Sequence, residues 1–488
     1  MREYSIPALV DVPAAASLTD VVCTRAIRDP HAVVMRRPSG GRWEDVTAAR
    51  FRDEVAGLAK GLLAAGVEAG DRIALMSRTR YEWTLIDYAI WAAGGVTVPI
   101  YETSSAEQVE WILRDSGARA AFAETSRQAD RMRNVGAIVQ ALEHVWVIED
   151  IPAIVASADA AGITDEQLEQ RRTARAAADL ATIIYTSGTT GRPKGCEITH
   201  GNLLSGVRNA VQGALMDIFE IAGSSTLLCL PLAHSFARII QVGCLESGAI
   251  LGHWPDMGSL AQVLPEFRPT FLLSVPRVFE RLFSSAQQQA CAGKAKNRIF
   301  DAAVETAIAW SEATSAPQDP GRALRLRHTF FDRLVYSTLR EAVGGQVEYA
   351  VCGGAPLGER LGHFFRGAGI TILEGYGLTE SSAAATVNRP SRNKIGTVGL
   401  PLPGVAVKIA DDGEILLRGP GIFAGYWHNE EASAEALDED GWLRSGDVGN
   451  LDAEGFLLVT GRKKELISTA AGKNVAPAVL RTGCAPAR

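Results

Sequence analysis

Val55, Leu58, Ala59, Leu62 and Leu63 recur at three- and four-residue spacing, which predicts a helix with one apolar face. Gly66 stops that helix, and the apolar run from Arg72 to Met76 follows as a strand. The pattern then repeats. A second apolar helix over about Glu82–Ala93 precedes a strand over Val96–Tyr101, and Ser105 with Gln108 forms a capping box that opens a third helix. That helix leads to a strand over Arg119–Ala123. Such strand–helix alternation predicts a largely parallel sheet. Residues Ala153–Ala178 are Ala-rich and polar and read as a surface excursion. From Pro276 to Gly345 the pattern is mostly helical, with Ile299, Phe300, Ala303, Val304, Ala307 and Ile308 in one stripe expected to pack on the core. After Gly399 the style changes to short strands. Val405–Ile409 and Glu414–Arg418 are separated by the turn residues Asp411, Asp412 and Gly413.

At 488 residues the chain has room for two or three structural units. A net charge of −7 argues against a nucleic-acid partner, which would favour a basic face. No apolar stretch approaches the roughly 18 residues that suggest a membrane span; the longest candidate, Trp83–Tyr101, is broken by Asp87, Gly94, Gly95 and Pro99. The seven cysteines are scattered, odd in number and never in a C-x-x-C pair, so neither a disulfide framework nor a zinc site is expected. Their usage suits a reducing, cytoplasmic compartment.

The densest chemical segment is the apolar strand at Ile183 that runs into Tyr185, Thr186, Ser187, Gly188, Thr189, Thr190, Gly191, Arg192, Pro193, Lys194 and Gly195. Glycines let backbone N–H groups approach a polyphosphate, hydroxyls donate to it, and the ammonium offsets its charge. The segment is not a Walker A loop, because Lys194 follows Pro193 and no G-K-[ST] ending is present. It resembles the signature loop of the adenylate-forming superfamily, which includes acyl-CoA synthetases. Further segments match in the same order. They are Pro231–Phe236 around His234, then Gly353, Gly354, Ala355, Pro356 and Leu357, then Glu374, Gly375, Tyr376, Gly377, Leu378, Thr379 and Glu380. Ser445–Asp447 and Gly461–Glu465 complete the set. Taken singly, His234 reads as a satisfied histidine, Glu380 as a solvated carboxylate, Tyr376 as a packing aromatic and Asp447 as a turn cap. Their order along the chain gives them a joint meaning.

The resemblance implies an α/β fold with two βαβ-built subdomains and a smaller β-rich unit in residues 1–460, followed by a hinge and a C-terminal remnant in residues 461–488. It implies activation of a carboxylate with ATP and Mg²⁺, then thioester formation with CoA, on catalytic residues Thr186, Lys194, His234 and Glu380. Thr186, Ser187, Thr189, Thr190 and Lys194 would cradle the pyrophosphate, with Gly188 and Gly191 shaping the loop. Glu380, with Thr186, would hold the metal, and Thr379 would reach the α-phosphate. Gly353, Gly354, Ala355, Pro356, Glu374, Gly375, Tyr376 and Gly377 would border the adenine and phosphates, while Asp447 and Arg462 would take the ribose hydroxyls. Holding carboxylate and phosphorus in line while neutralising charge is the chemistry such residues serve.

The segments Val98–Ser105, Phe330–Val335 and Gly396–Gly404 resemble bacterial long-chain fatty acid ligases, so a fatty acid is the expected acyl donor and any membrane contact is expected to be peripheral. An acyl-AMP ligase that loads a carrier protein, and a non-catalytic nucleotide- or acyl-binding remnant, are the alternatives. At the C-terminus, Gly472–Leu480 follows the family and Arg481–Arg488 departs from it. GC-rich codons for Asp-Arg-Leu-Arg-Ala, read one nucleotide out of register, can spell the Thr-Gly-Cys-Ala-Pro found there. A frameshifted tail, or else a genuinely divergent short one, is the expectation. With the family's small domain reduced to a stub, ligand binding would persist and acyl-CoA formation would slow by several orders of magnitude; one preorganised charged group alone is worth about 10²–10³.

Overall fold

The computed structural model describes residues 1–136, 141–186, 192–290, 294–315, 320–465, 467–468 and 474–475. The apolar strands Arg72–Met76, Val96–Ile100, Ala120–Ala123, His144–Val147 and Leu180–Thr186 pair in parallel. Lys194–Thr199 and Gly425–Tyr426 then add antiparallel to one edge, giving a seven-stranded sheet. Helix Tyr81–Ala92 buries every side chain except Glu82, so the longest apolar stretch is a central core helix. Among the described residues no helix is long and apolar enough to cross a membrane. Ser105 caps helix Ala106–Ser116 through the expected box with Gln108.

A second sheet of five strands runs Phe271–Ser274, Tyr349–Cys352 and Thr371–Tyr376 in parallel, then Thr386–Val387 and Leu400–Pro401 antiparallel. A four-stranded sheet joins Ser225–Leu228, Ile250–His253 and Val33–Ser39 in parallel, with Arg42–Thr47 antiparallel at its edge. The β-rich unit is a five-stranded antiparallel sheet. In it the N-terminal strand Glu3–Ser5 pairs with Ala406–Ile409, followed by Glu414–Arg418, Leu443–Leu451 and Leu457–Arg462. The first two residues of the expected hinge, Gly461 and Arg462, therefore lie on a strand, and Lys463 is tied to Asp412 and Glu414 at 2.6 and 2.9 Å.

One local expectation is refined and one corrected. The surface excursion at residues 153–178 is largely exposed and is built of helices Ile151–Ala160 and Asp165–Thr173, which bury Ile154, Ala158 and Leu168. Their helix-forming alanines and the Thr164–Gln167 capping box outweigh the low apolar content. In helix Lys294–Ser315, Phe300, Ala303, Val304 and Ala307 are buried, whereas Ile299 is 41% exposed.

One ionic node fixes the core beneath the sheet's carboxyl ends. Arg238, on helix Ser235–Ser247, donates to both Asp87 carboxylate oxygens at 2.7 and 2.9 Å and to Thr182 at 2.8 Å. Thr97 and Gln241 complete the carboxylate's donors, and the guanidinium lies near the faces of Trp83 and Trp91. Both charged side chains are 0% exposed.

Candidate active site

The parallel strands of the two larger sheets end on a shared cavity of about 680 Å³. Crevices outside the carboxyl ends of such strands are where open α/β sheets bind ligands. Thr186 closes one strand and Lys194 opens the next, and the two are directly paired across the hairpin, so both reach the cavity. Ser187, Gly188, Thr189, Thr190 and Gly191 lie outside the described residues. The Lys194 ammonium stands 5.0 Å from the Tyr426 ring centroid and has no ion-pair partner among the described residues.

Glu380 also lines the cavity, on the short turn Thr379–Ser381 after strand Thr371–Tyr376. Its Oε1 accepts a 2.7 Å hydrogen bond from Tyr426, and no other donor among the described residues reaches the carboxylate. Burial and this neighbouring carboxylate push the Tyr426 phenol well up, so it stays a donor. The turn is strained. Ser382 and Ala383 hold φ of 53° and 82°, kept there by Ser382 N–H to Thr379 and Ala383 N–H to Leu378. A side chain at Gly377 would bring its Cβ within 2.3 Å of the Ala383 carbonyl oxygen, so glycine is what allows this loop to fold over itself.

Tyr376 and Asp447 form the next wall. Tyr376 donates to Asp447 Oδ2 at 2.7 Å, and Arg462, the direct cross-strand neighbour, approaches Oδ1 at 3.2 Å. Burial raises the Asp447 carboxyl pKa, with Tyr376 and Arg462 acting in the other direction. His234 caps helix Ser235–Ser247, accepting the Phe236 N–H at Nδ1 at 3.1 Å; that bond leaves the proton on Nε2. Desolvation lowers its pKa, so the ring is neutral. Beside it Ser235 and Thr379 hydroxyls stand 3.3 Å apart.

Gly353, Gly354, Gly375, Tyr376, Gly377 and Thr379 all line the cavity. Ala355 and Pro356 are not part of its wall and are exposed. Glu374 is likewise absent from the wall, with its Oε2 accepting the Leu357 N–H at 3.0 Å, so it braces the glycine loop from behind. Asp447 touches the cavity only through its neighbours Ser445 and Gly446. Sequence reasoning missed Tyr426, Arg444 and Lys464. It also left the far end unassigned. There Val207, Val211, Leu215, Phe219, Ile240 and Gly243 form an apolar continuation of the same cavity.

A family model described as AMP-binding enzyme matches residues 23–427. The chain belongs to the AMP-binding enzyme family. Within that family it is 48% identical over 483 residues to the long-chain-fatty-acid–CoA ligase FadD15 of Mycobacterium bovis, covering 98% of this chain and 80% of the relative. The Mycobacterium tuberculosis protein of the same name is 47% identical, with the same coverage. Apo MatB from Rhodopseudomonas palustris superimposes with a TM-score of 0.73 at 23% identity, over 96% of this chain and 82% of that one, a likeness of fold. The adenylate-forming resemblance and the α/β architecture expected of this AMP-binding enzyme both hold.

Proposed function

We propose that the chain activates a long-chain fatty acid with ATP to an acyl-adenylate and passes the acyl group to CoA. The observation that carries this reading is one cavity with a cationic, hydroxyl-lined end at Thr186, Lys194, Arg444 and Arg462 and an apolar end at Val207, Val211, Leu215, Phe219 and Gly243. A polyphosphate suits the first end and an acyl chain the second. The names of the two mycobacterial relatives agree with this reading.

In the first half-reaction a carboxylate oxygen bonds to the α-phosphorus and pyrophosphate leaves. In the second the CoA sulfur bonds to the acyl carbon and AMP leaves. Lys194 offsets the charge of the departing phosphates. Thr379 and Ser235 offer hydroxyls beside His234, and neutral His234 can donate from Nε2. Asp447, held by Tyr376 and Arg462, serves the ribose diol as an acceptor-only group. Mg²⁺ is held with few protein ligands when phosphates supply the rest, so one carboxylate with a spare oxygen at Glu380, and the hydroxyl of Thr186, fit it. That ion would neutralise phosphate charge during transfer.

Residues 1–460 are taken as the AMP-binding domain and 461 onward as hinge and C-terminal segment. The five described free cysteines suit a cytoplasmic setting, and contact with a bilayer would be peripheral. The test is twofold: acid-dependent ATP–pyrophosphate exchange, and acyl-CoA formation, each with acids from short to long. Exchange that needs a long acid supports the reading. Nucleotide binding with no exchange for any acid overturns it, and exchange without thioester moves the second acceptor away from CoA.

A further inference from the structure

The helical region between strands Phe271–Ser274 and Tyr349–Cys352 carries a surface that the proposed reaction does not use. Helix Arg322–Phe331 continues through the wide turn Asp332–Tyr336. Its inner face is fixed. His328 stacks on Trp310 with centroids 4.2 Å apart and bonds to the Gly367 carbonyl at 2.7 Å. Phe331 is buried, and Tyr336 donates to the Ala303 carbonyl at 2.6 Å.

The outer face is apolar. Leu326, Phe330 and Leu334, at i, i+4 and i+8, are 74%, 61% and 49% exposed. They form the longest aligned run among the large exposed hydrophobics of the described residues. Arg322, Arg325, Arg327 and Arg333 are exposed beside this stripe. At 100° per residue within the helix, Arg322 and Arg325 fall on one side of it and Arg327 on the other. The single aspartate of this segment, Asp332, is bound to Arg340 at 2.7 Å. This is a strongly basic strip in a chain of net charge −7.

We infer that this face docks on an anionic lipid bilayer, with Phe330, Leu326 and Leu334 entering the headgroup boundary and Arg322, Arg327 and Arg333 resting on lipid phosphates. A helix with an apolar face and cationic flanks is the arrangement that lies in a membrane interface. The sign of the flanks decides the occupant. A second copy related by a two-fold axis would set the same arginines against each other, whereas an anionic surface matches them. The face deepens the peripheral contact read above and gives it an address.

The test is vesicle co-sedimentation of the full chain. It needs neither ATP nor acid, so failure of the ligase assays leaves its result standing, and the reverse. The parent should bind vesicles containing phosphatidylglycerol, bind phosphatidylcholine vesicles poorly, and lose binding as salt shortens the screening length. Leu326→Ser with Phe330→Ser should lower the partition coefficient at least tenfold. Arg322→Gln with Arg333→Gln, which leaves the apolar stripe intact, should lower it on the order of thirtyfold, from about 1 kcal/mol per arginine. All four positions are exposed, so thermal midpoints should match the parent. Absence of binding by the parent, or equal binding by parent and both variants, overturns the inference. So does a concentration-dependent dimer in size-exclusion chromatography that Phe330→Ser abolishes, because the stripe is then covered by a second copy.

Discussion

Replacing Arg238 with methionine tests how the core holds the active-site helix. Among the described residues the change removes the one cation paired with Asp87, whose carboxylate is 0% exposed and keeps Thr97 and Gln241 as donors. Removing one partner of a buried pair costs about 3–5 kcal/mol, because the other charge is left uncompensated. At about 2–4 °C per kcal/mol for a cooperative unit of 150–250 residues, Tm should fall by about 6–20 °C. The deficit must also depend on pH. Burial already raises the Asp87 pKa, and loss of the opposing guanidinium raises it further. Such a group binds its proton in the folded chain at a pH where the unfolded chain, with a pKa of about 3.9, has released it. Stability relative to the parent is therefore lowest above the raised folded pKa and recovers as pH falls, by about 1.4 kcal/mol per unit between the two values. Thermal unfolding of Arg238→Met and parent at several pH values between 5 and 8 reads this directly. Adding Asp87→Leu to Arg238→Met should restore much of the loss, since a hydrophobic replacement of a whole buried pair is tolerated. A deficit below about 1 kcal/mol, a deficit independent of pH, or a double variant no better than Arg238→Met would refute the reasoning.

Three further outcomes follow from the cavity. Tyr426→Phe removes the hydroxyl that orients Glu380, so activity should fall about 10–100-fold with a higher Mg²⁺ requirement, measured by metal titration of the exchange reaction. Asp447→Asn weakens a charged hydrogen-bond pair with Tyr376 and Arg462, which should raise the ATP KM by roughly 10–100-fold while kcat changes little, read from steady-state exchange kinetics. Gly243→Leu adds a Cβ that meets only Val211 and Val207, at 3.8 and 3.9 Å, so the backbone tolerates it and the rest of the side chain enters the apolar end. The kcat/KM for long acids relative to short ones should fall roughly fiftyfold if three methylenes are expelled at about 0.8 kcal/mol each, read across a chain-length series.

Local rules carried the sequence reading a long way and then stopped for identifiable reasons. Strand Arg72–Met76, the Ser105 capping box and the hairpin around Gly413 are set by neighbours within a few residues, and each was foreseen. Helix Ile151–Ala160 was missed because its buried side is only Ile154 and Ala158, too thin a stripe for periodicity to register. Asp87 was read as a break in an apolar run, when it is the partner of a residue 151 positions away. Tyr426 escaped notice for a similar reason. It meets Glu380 only because strand Gly425–Tyr426 pairs with Cys196 and Glu197, a register that no local pattern encodes. The glycine and hydroxyl motifs announced the polar end of the site, whereas the apolar end is built from helix faces that look like ordinary core until the cavity is seen.

The central claim is that one continuous cavity holds nucleotide at its cationic end and an acyl chain at its apolar end. Calorimetric titration of the full chain with sulfamoyl analogues of acyl-adenylates of increasing length tests this without requiring turnover. The account predicts a single site whose affinity rises about fourfold per methylene, from about 0.8 kcal/mol each, until the apolar end is filled. It also predicts a loss of affinity at every length in Asp447→Ala, which removes the acceptor for the ribose diol. Affinity that is the same for short and long acyl groups, or unchanged by Asp447→Ala, would contradict it.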